Sequence, residues 1–569
     1  MNKIHLLPLD ISQKIAAGEV IERPFSVVKE LVENSIDAGS SEIRVELQTG
    51  GKKLIRVQDN GAGMSREDAQ VCFERHATSK ISSDSDLERI STLGFRGEAL
   101  ASVAAVSELV LKTSDGETEM GIQVERKVGQ PALVHETAFP KGTCVEVRDL
   151  FGNLPARRKF LRSDQSELGM IVRYLTGVAL AFPEIKFSLV QARREILNCP
   201  QVANTRERIF QLYGKDILGT LMEIDFEEGG SRIFGYGSRP PLGKANKAHQ
   251  LFFVNRRLVK DRILQASLNQ AYRGFLERDQ FPEAFLFLTL PYAEVDVNVH
   301  PAKAEVRFLD SQFIFYLVLR SVEKVMLKDK GIKEVYVSQE GARYEGRVEG
   351  AAASGVFQKK ERPAIETQGL FPPLAESTGG TVFPRVLGQY LNTYIVAAGE
   401  DGILIIDQHN AHERVLFEKY KEIDAQKRWP QKIPLIPILV DLSPSQVLSL
   451  EKNQPLLEEA GFRVEAMGGR TFVLNGFPDI FEAEIAKETF LALLEEMGEE
   501  EVERKREKIL ATLACRTAVK AHDPLPPDKM NFLVEELFKT TNPSLCPHGR
   551  PVVIKVDKAQ IEKGLKRIS

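Results

Sequence analysis

Residues 30–38, ELVENSIDA, decide how the first third of this chain is read. Glu30 and Asn34 stand four apart and so project from one side of a helix, while Leu31, Val32 and Ile36 can face a core. The helix is expected to run over 13–38, with Pro24 in a first-turn position. Downstream, 43–47 and 53–58 alternate or run apolar like strands, and Asp59-Asn60-Gly61-Ala62-Gly63 follows the second. FRGEALASVAAVSEL (95–109) reads as another helix and CVEVRDL (144–150) as another strand. The strands lie close together, so a mixed α+β sheet with helices on one face is expected rather than a regular βαβ array.

Outward from this stretch, the chain is long enough for more than one core. At about 150 residues per domain, its 569 residues suggest three to four domains. A hydrophobic share of 43% and a charged share of 27% describe a soluble globular protein. The stretch from about 339 to 381 is rich in Gly, Ala, Ser, Glu and Pro without apolar period, and reads as a linker. The expected organisation is therefore 1–200, 201–335, a flexible linker at 336–382, and 383–569. In the second unit LFFVNRRLV (251–259) and AFLFLTLPY (284–292) read as strands and 310–327 as an amphipathic helix. In the last, 392–409 reads as strand, turn and strand, 411–423 as helix, 444–540 as helix-rich, and PVVIKV (551–556) as a final strand.

The formal charge is −4, so contact with nucleic acid has to come from local basic patches. No apolar run approaches the roughly 20 residues that span a bilayer, and the first residues lack a signal peptide's apolar centre. Five scattered cysteines suit a reducing, cytoplasmic compartment better than a disulfide framework. Collagen-like, membrane-spanning and wholly disordered classes are excluded.

No GxxxxGK[ST] occurs, which argues against a P-loop nucleotide site. Three other glycine signals do occur: the Asp59–Gly63 turn, Gly94-Phe95-Arg96-Gly97-Glu98 at the start of a helix, and Gly142-Thr143 before a strand. Any one of them also describes an ordinary turn. Read together with Glu30 and Asn34 they describe a nucleotide site. A carboxylate can activate water, a carboxamide one turn away can hold Mg²⁺, a buried Asp can accept from an adenine amino group, and glycine turns let backbone N–H groups approach phosphates.

In order along the chain, ELVENSIDA, DNGAGM (59–64), RHATSKI (75–81), LGFRGEALAS (93–102), GTCVEV (142–147) and NLPARRKFL (153–161) resemble the GHKL (Bergerat-fold) ATPase module of the MutL DNA mismatch repair proteins. VDVNVHPAKAEVRF (295–308) resembles that family's signature in a second α+β, transducer-like subdomain. The likeness covers residues 1–330 densely. NLPARRKFL and VNVHPAK set it apart from Hsp90, type II topoisomerase and histidine-kinase relatives. The resemblance implies Glu30 as the base that activates water, Asn34 as the Mg²⁺ ligand, and Asp59 as the adenine reader with Gly61 and Gly63 beside it. It places Thr78, Ser79 and Lys80 in the nucleotide lid and assigns Gly94, Phe95, Arg96, Gly97, Glu98, Ala99 and Leu100 to the phosphates. Thr143 would line the pocket, and Lys303 would reach the γ-phosphate from the second subdomain, coupling ATP to closure.

Basic residues gather at Arg157, Arg158, Lys159 and Arg162, and again at Arg256, Arg257, Lys260 and Arg262. They can support salt-sensitive contact with the phosphates of double-stranded DNA without sequence reading; a solvated face is the plainer alternative. VNRRLVKDR (254–262) resembles the family's DNA-groove segment.

The C-terminal block carries a second constellation. Asp407 ends a strand, and His409 and Glu413, four apart, share a helical face if the helix has begun by His409. Cys546 and His548 lie two apart on a loop, and Cys515 sits in a helical context. Carboxylate, imidazole and thiolate together suit Zn²⁺, Mn²⁺ or a similar ion. DQHNAHERVLFE (407–418) resembles the endonuclease motif of MutL proteins, and ACRTAVKA (514–521) and CPHGRP (546–551) resemble two further pieces of its metal site. Asn410 departs from the pattern's Ala; His412 occupies a variable position and is not expected to be a ligand, and Glu418 is the motif's last carboxylate.

The resemblance implies a C-terminal α/β dimerisation and endonuclease domain, in a homodimer that couples mismatch recognition to metal-dependent nicking. Its partners would be DNA, a MutS-type recognition protein and, through QKIPLIPI (431–438), the replication sliding clamp; a connecting strand is the other reading of that segment. No membrane partner is expected, and the nucleoid is the expected place of work. The main alternative is a non-cutting, ATP-dependent matchmaker clamp with a structural or regulatory metal. A GHKL topoisomerase or chaperone would leave the C-terminal motifs unaccounted for.

Overall fold

A computed structural model describes residues 20–81, 83, 92–94, 97–127, 130–244, 246–276, 280–296, 306–329, 383–427, 429–498, 500–520, 522–565 and 567. The linker segment, Phe95, Arg96 and Lys303 lie outside them.

The helix carrying ELVENSIDA, α1 (Pro24–Asp37), starts at Pro24; residues 21–23 are not helical, and 13–19 lie outside the described residues. Proline at the first position has no N–H to lose there, which explains a start later than the apolar pattern suggested. Its buried side, Val27, Val28, Leu31 and Val32, packs on an eight-stranded sheet. The strands are β1 (Glu42–Gln48), β2 (Leu54–Asp59), β3 (Glu108–Ser114), β4 (Gly121–Arg126), β5 (Leu133–Thr137), β6 (Gly142–Arg148), β7 (Lys186–Gln191) and β8 (Arg194–Cys199). Their spatial order is β5-β4-β3-β6-β2-β1-β7-β8. Among the described residues of this sheet only β1 and β7 pair in parallel. Alternate residues such as Ile43, Val45, Leu47, Ile55, Val57, Val145 and Val147 are buried, the period-2 pattern of a sheet covered on one face. The expected helix at 95–109 shortens to α2 (Ala99–Ala105), and the long α3 (Asp164–Ala181) completes the layer through Leu168, Ile171, Val172 and Leu175.

A second sheet, in the order β12-β11-β13-β10-β9, comprises β9 (Leu221–Glu228), β10 (Ser231–Ser238), β11 (Gln250–Val254), β12 (Arg257–Val259) and β13 (Ala284–Thr289). The segment LFFVNRRLV is thus a hairpin rather than one strand. Helices α4 (Arg262–Ala271) and α5 (Ser311–Asp329) cover it with Leu264, Leu268, Leu317, Val318 and Val322.

The C-terminal block begins with an antiparallel sheet of β14 (Arg385–Tyr390), β15 (Tyr394–Gly399), β16 (Gly402–Asp407) and, from the chain's end, β17 (Val553–Asp557). Helix α6 (Gln408–Ala425) runs on from β16 and joins two cores, placing Ala411 in one and Leu416 and Tyr420 in the other. The stretch 444–540 holds its helices, among them α7 (Val502–Thr517) and α8 (Pro527–Lys539), but also the strands Arg463–Gly468 and Thr471–Pro478, which pair with each other. No helix among the described residues is long and apolar enough to cross a membrane.

Candidate functional site

Helix α1 carries Glu30 one turn before Asn34 and gathers Asn34 and Asp37 with Lys80, Leu93 and Gly94 in one cluster. Asp37 is its organising acid. Its Oδ1 accepts from Leu93 N (2.9 Å), and its Oδ2 from Gly94 N (2.9 Å) and from the Lys80 ammonium (2.6 Å). Lys80 Nζ also donates to Asn34 Oδ1 at 2.7 Å. An ammonium cation therefore rests between the two side-chain oxygens, which fits these residues to a cation such as Mg²⁺. Asp37 escaped the sequence reading, although its position three residues beyond Asn34 puts it on the same helical face.

Asp59, at the end of β2, is surrounded by donors. Its Oδ2 lies 2.7 Å from the Ser35 hydroxyl, and its Oδ1 accepts from Gly61 N (2.9 Å) and Thr143 N (3.3 Å). Burial holds its pKa above the ordinary carboxylate value, with the hydrogen bonds from Ser35, Gly61 and Thr143 pulling the other way. Gly63 has φ +73°, and a Cβ there would lie 1.9 Å from Ser114 O, so only glycine fits. Thr143 Oγ1 lies 3.0 Å from Thr113 Oγ1. Thr78 Oγ1 accepts from Lys80 N at 3.2 Å, with Ser79 between them. Gly97, at φ +63°, accepts from His76 N through its carbonyl and packs against Ala77, where a Cβ would meet Ala77 O at 2.8 Å. Glu98 stands at the N-cap position of α2 without a side-chain capping bond, and Ala99 and Leu100 are the helix's first residues.

The basic clusters divide. Lys260 and Arg262 are exposed, as are Arg158 and Lys159, though Arg158 pairs with Asp149 at 2.8 Å. Arg157 donates to Ile21 O at 3.3 Å. Arg256 lies over the Phe182 ring at 4.2 Å and donates to Ala181 O. Arg257 departs from its expected role. It is only 7% exposed and donates to Thr92 O and Leu93 O, so its guanidinium is buried and not presented at the surface.

In the C-terminal block, Asp407 is the N-cap of α6, accepting from Asn410 N at 3.0 Å. The helix has therefore begun by His409, and His409 and Glu413 share a face, with Nε2 3.2 Å from Oε1. His409 Nδ1 lies 2.8 Å from Val519 O, so the proton belongs on Nδ1 and Nε2 is aimed at Glu413. Cys515 comes from the last turn of α7, and Cys546 and His548 from the loop before β17. Ligand atoms of His409, Glu413 and Cys515 lie within 4.8 Å of one another, as do those of Glu413, Cys546 and His548. Glu413 is 1% exposed, and its buried Oε1 has no properly directed hydrogen-bond donor among the described residues. Burial favours its neutral form, but His409, His548 and Cys515 hold its pKa well below the carboxylate range. His409 is pushed up to about 10 because Cys515 and Glu413 outweigh burial, and His548 to about 10 by Cys546 and Glu413.

Two thiols, two imidazoles and a carboxylate with an unmatched buried oxygen fit a thiophilic divalent cation such as Zn²⁺. Asp407 is not brought into either ligand group, and Glu418 instead meets Arg414 (3.4 Å) and Thr541 (2.6 Å). His412 is buried and accepts from Val519 N at 3.0 Å; burial, and then the neighbouring His409 charge, lower its pKa to about 4. Asn410 donates to Pro551 O at 3.1 Å, tying α6 to the loop with Cys546 and His548.

The eight-stranded sheet, helix α1 and the Asn34–Asp37–Lys80 cluster define an ATP-binding module of the GHKL class, joined to a second α+β unit and a C-terminal block. Residues 21–138 match the histidine kinase-, DNA gyrase B- and HSP90-like ATPase family, 209–327 the DNA mismatch repair protein C-terminal domain, and 387–525 the MutL C terminal dimerisation domain. The chain is 38% identical to the DNA mismatch repair protein MutL of Koribacter versatilis and 37% identical to that of Caldanaerobacter subterraneus, with all of this chain and all of each relative covered. It belongs to the MutL family of DNA mismatch repair proteins.

Proposed function

We propose that this chain is an ATP-gated homodimer that couples mismatch recognition to metal-dependent nicking of duplex DNA. The observation that carries the nicking is the convergence of His409, Glu413, Cys515, Cys546 and His548 from three separate segments onto one buried carboxylate. A bound Zn²⁺ or Mn²⁺ ion would supply the positive charge that phosphodiester hydrolysis needs. The chain's own part is positional: Val519 O fixes the His409 tautomer, and Glu413 is kept ionised between two imidazoles.

In the N-terminal module Glu30 activates water toward the γ-phosphate, Asn34 holds Mg²⁺, and Asp59 reads adenine; Lys303 acts from the second subdomain, with limits of 1–200 and 201–335 for the two. Exposed Lys260, Arg262 and Arg158 support contact with duplex phosphates, salt-sensitive and blind to sequence. The exposed Ile433, Leu435 and Ile436 support a sliding clamp as partner beside a MutS-type protein. Five free cysteines accord with a cytoplasmic, nucleoid-associated protein.

Asp407 favours a second reading, a non-cutting clamp with a structural metal, because its carboxylate caps α6 instead of joining the ligands. Supercoiled plasmid with Mn²⁺ distinguishes them: open circles form with the wild type and not with His409→Ala if the chain cuts, and form with neither if it is a clamp.

A further inference from the structure

Arg257 belongs to the second sheet, yet its guanidinium ends in the nucleotide module. The β11–β12 hairpin turns through Asn255 and Arg256, at φ 47° and 65°, with Val254 and Arg257 paired across it. Two left-handed residues make a tight turn whose twist suits the strands, and asparagine tolerates that conformation. Asn255 is locked by reciprocal bonds to Leu290, donating to its carbonyl at 3.0 Å and accepting from its N–H at 2.9 Å. The turn thus leaves Arg256 at the surface and Arg257 buried.

There, Arg257 Nη2 donates to Thr92 O at 3.1 Å and to Leu93 O at 3.0 Å. The same short segment is held from the other side by Asp37, through the N–H groups of Leu93 and Gly94. Asp37 in turn shares the Lys80 ammonium with Asn34. A cation of one sheet and a carboxylate of α1 therefore grip residues 92–94 by opposite faces of the backbone. Arg257 Nη1 is buried with no hydrogen-bond partner among the described residues, so the arrangement leaves one donor unmet.

We propose that Arg257 is a positioning residue for ATP turnover: it holds residues 92–94 against Asp37 and carries movement of the second sheet to Asp37 and Asn34. A planar fork can serve two successive carbonyls at once, which a lysine ammonium does less well. The role differs from phosphate contact with DNA, since the group is buried.

The test uses the full-length protein with Arg257→Met, Arg257→Lys, Asp37→Asn and the Arg257→Met/Asp37→Asn double variant, read by steady-state ATPase, thermal melting and duplex-DNA binding. Losing charge-assisted bonds to the segment is expected to raise KM for ATP about tenfold in Arg257→Met and to lower kcat. Arg257→Lys should recover part of both, and DNA affinity and melting temperature should hold. The double variant should lose no more than the worse single variant, because both residues act through one segment. Unchanged ATPase kinetics in Arg257→Met, additive losses in the double variant, or a loss of DNA binding with ATPase intact would each overturn the proposal.

Discussion

Asp59 meets donors on every side the structure describes: the Ser35 hydroxyl and the Gly61 and Thr143 amides. Asparagine would turn an NH₂ group toward at least one of them and present the wrong pattern to adenine. Asp59→Asn should therefore lose ATP binding, and unchanged affinity by calorimetry would remove the assignment. In the proposed reading Glu30 activates water and does not hold adenine, so Glu30→Ala should bind ATP normally and hydrolyse it at least about 100-fold more slowly, the usual scale of a lost general base. Near wild-type turnover would refute that role. Glu30, Asn34 and Asp59 could be singled out in the chain because helical spacing and a strand-end acid are local signals. Asp37 was not, since its partners at 80, 93 and 94 are brought near only by the fold.

At the scale of elements, the second sheet contains a buried ion pair that no local pattern announced. His249 Nδ1 lies 2.6 Å from Glu283 Oε1, with Lys244 4.0 Å from the same oxygen. Burial opposes the charge on His249, but Glu283 wins and raises its pKa above 6.5, while burial of Glu283 is outweighed by His249, which lowers it below 4.5. For the raised histidine, the stabilisation is complete below pH 6.5 and fades as pH climbs through its folded value; for the lowered glutamate, it is present above pH 4.5 and fades as pH falls. The pair should thus contribute most between those limits. Glu283→Gln should cost about 3–5 kcal/mol near pH 6 by leaving a buried cation unpaired. Melts from pH 5 to 8 should also show a shallower decline toward high pH than wild type; an equal slope would contradict the pairing. Elsewhere, element type was mostly visible and element ends were not. Pro24 moved a helix start, and Asn255-Arg256 turned an apparent strand into a hairpin, which buries Arg257.

At the scale of the molecule, ATP binding and the thiol–imidazole–carboxylate cluster belong to different sheets and different cores. The resemblance already grouped the motifs of the cluster as one metal site, but no local signal marked Glu413 as the member they share. Cys515, Cys546 and His548 stand far along the chain from Glu413, and only the fold returns them to α6. The proposed cutting of DNA would turn on that centre, and Glu413 is the member common to both ligand groups. A decisive measurement takes Glu413→Gln and wild type through metal analysis, Mn²⁺-dependent nicking of supercoiled plasmid and ATPase in the same preparations. Glutamine keeps the volume and removes the charge that two imidazoles surround, so bound metal and nicking should both fall while ATP hydrolysis persists. Full nicking by Glu413→Gln would contradict a nicking centre built on this carboxylate.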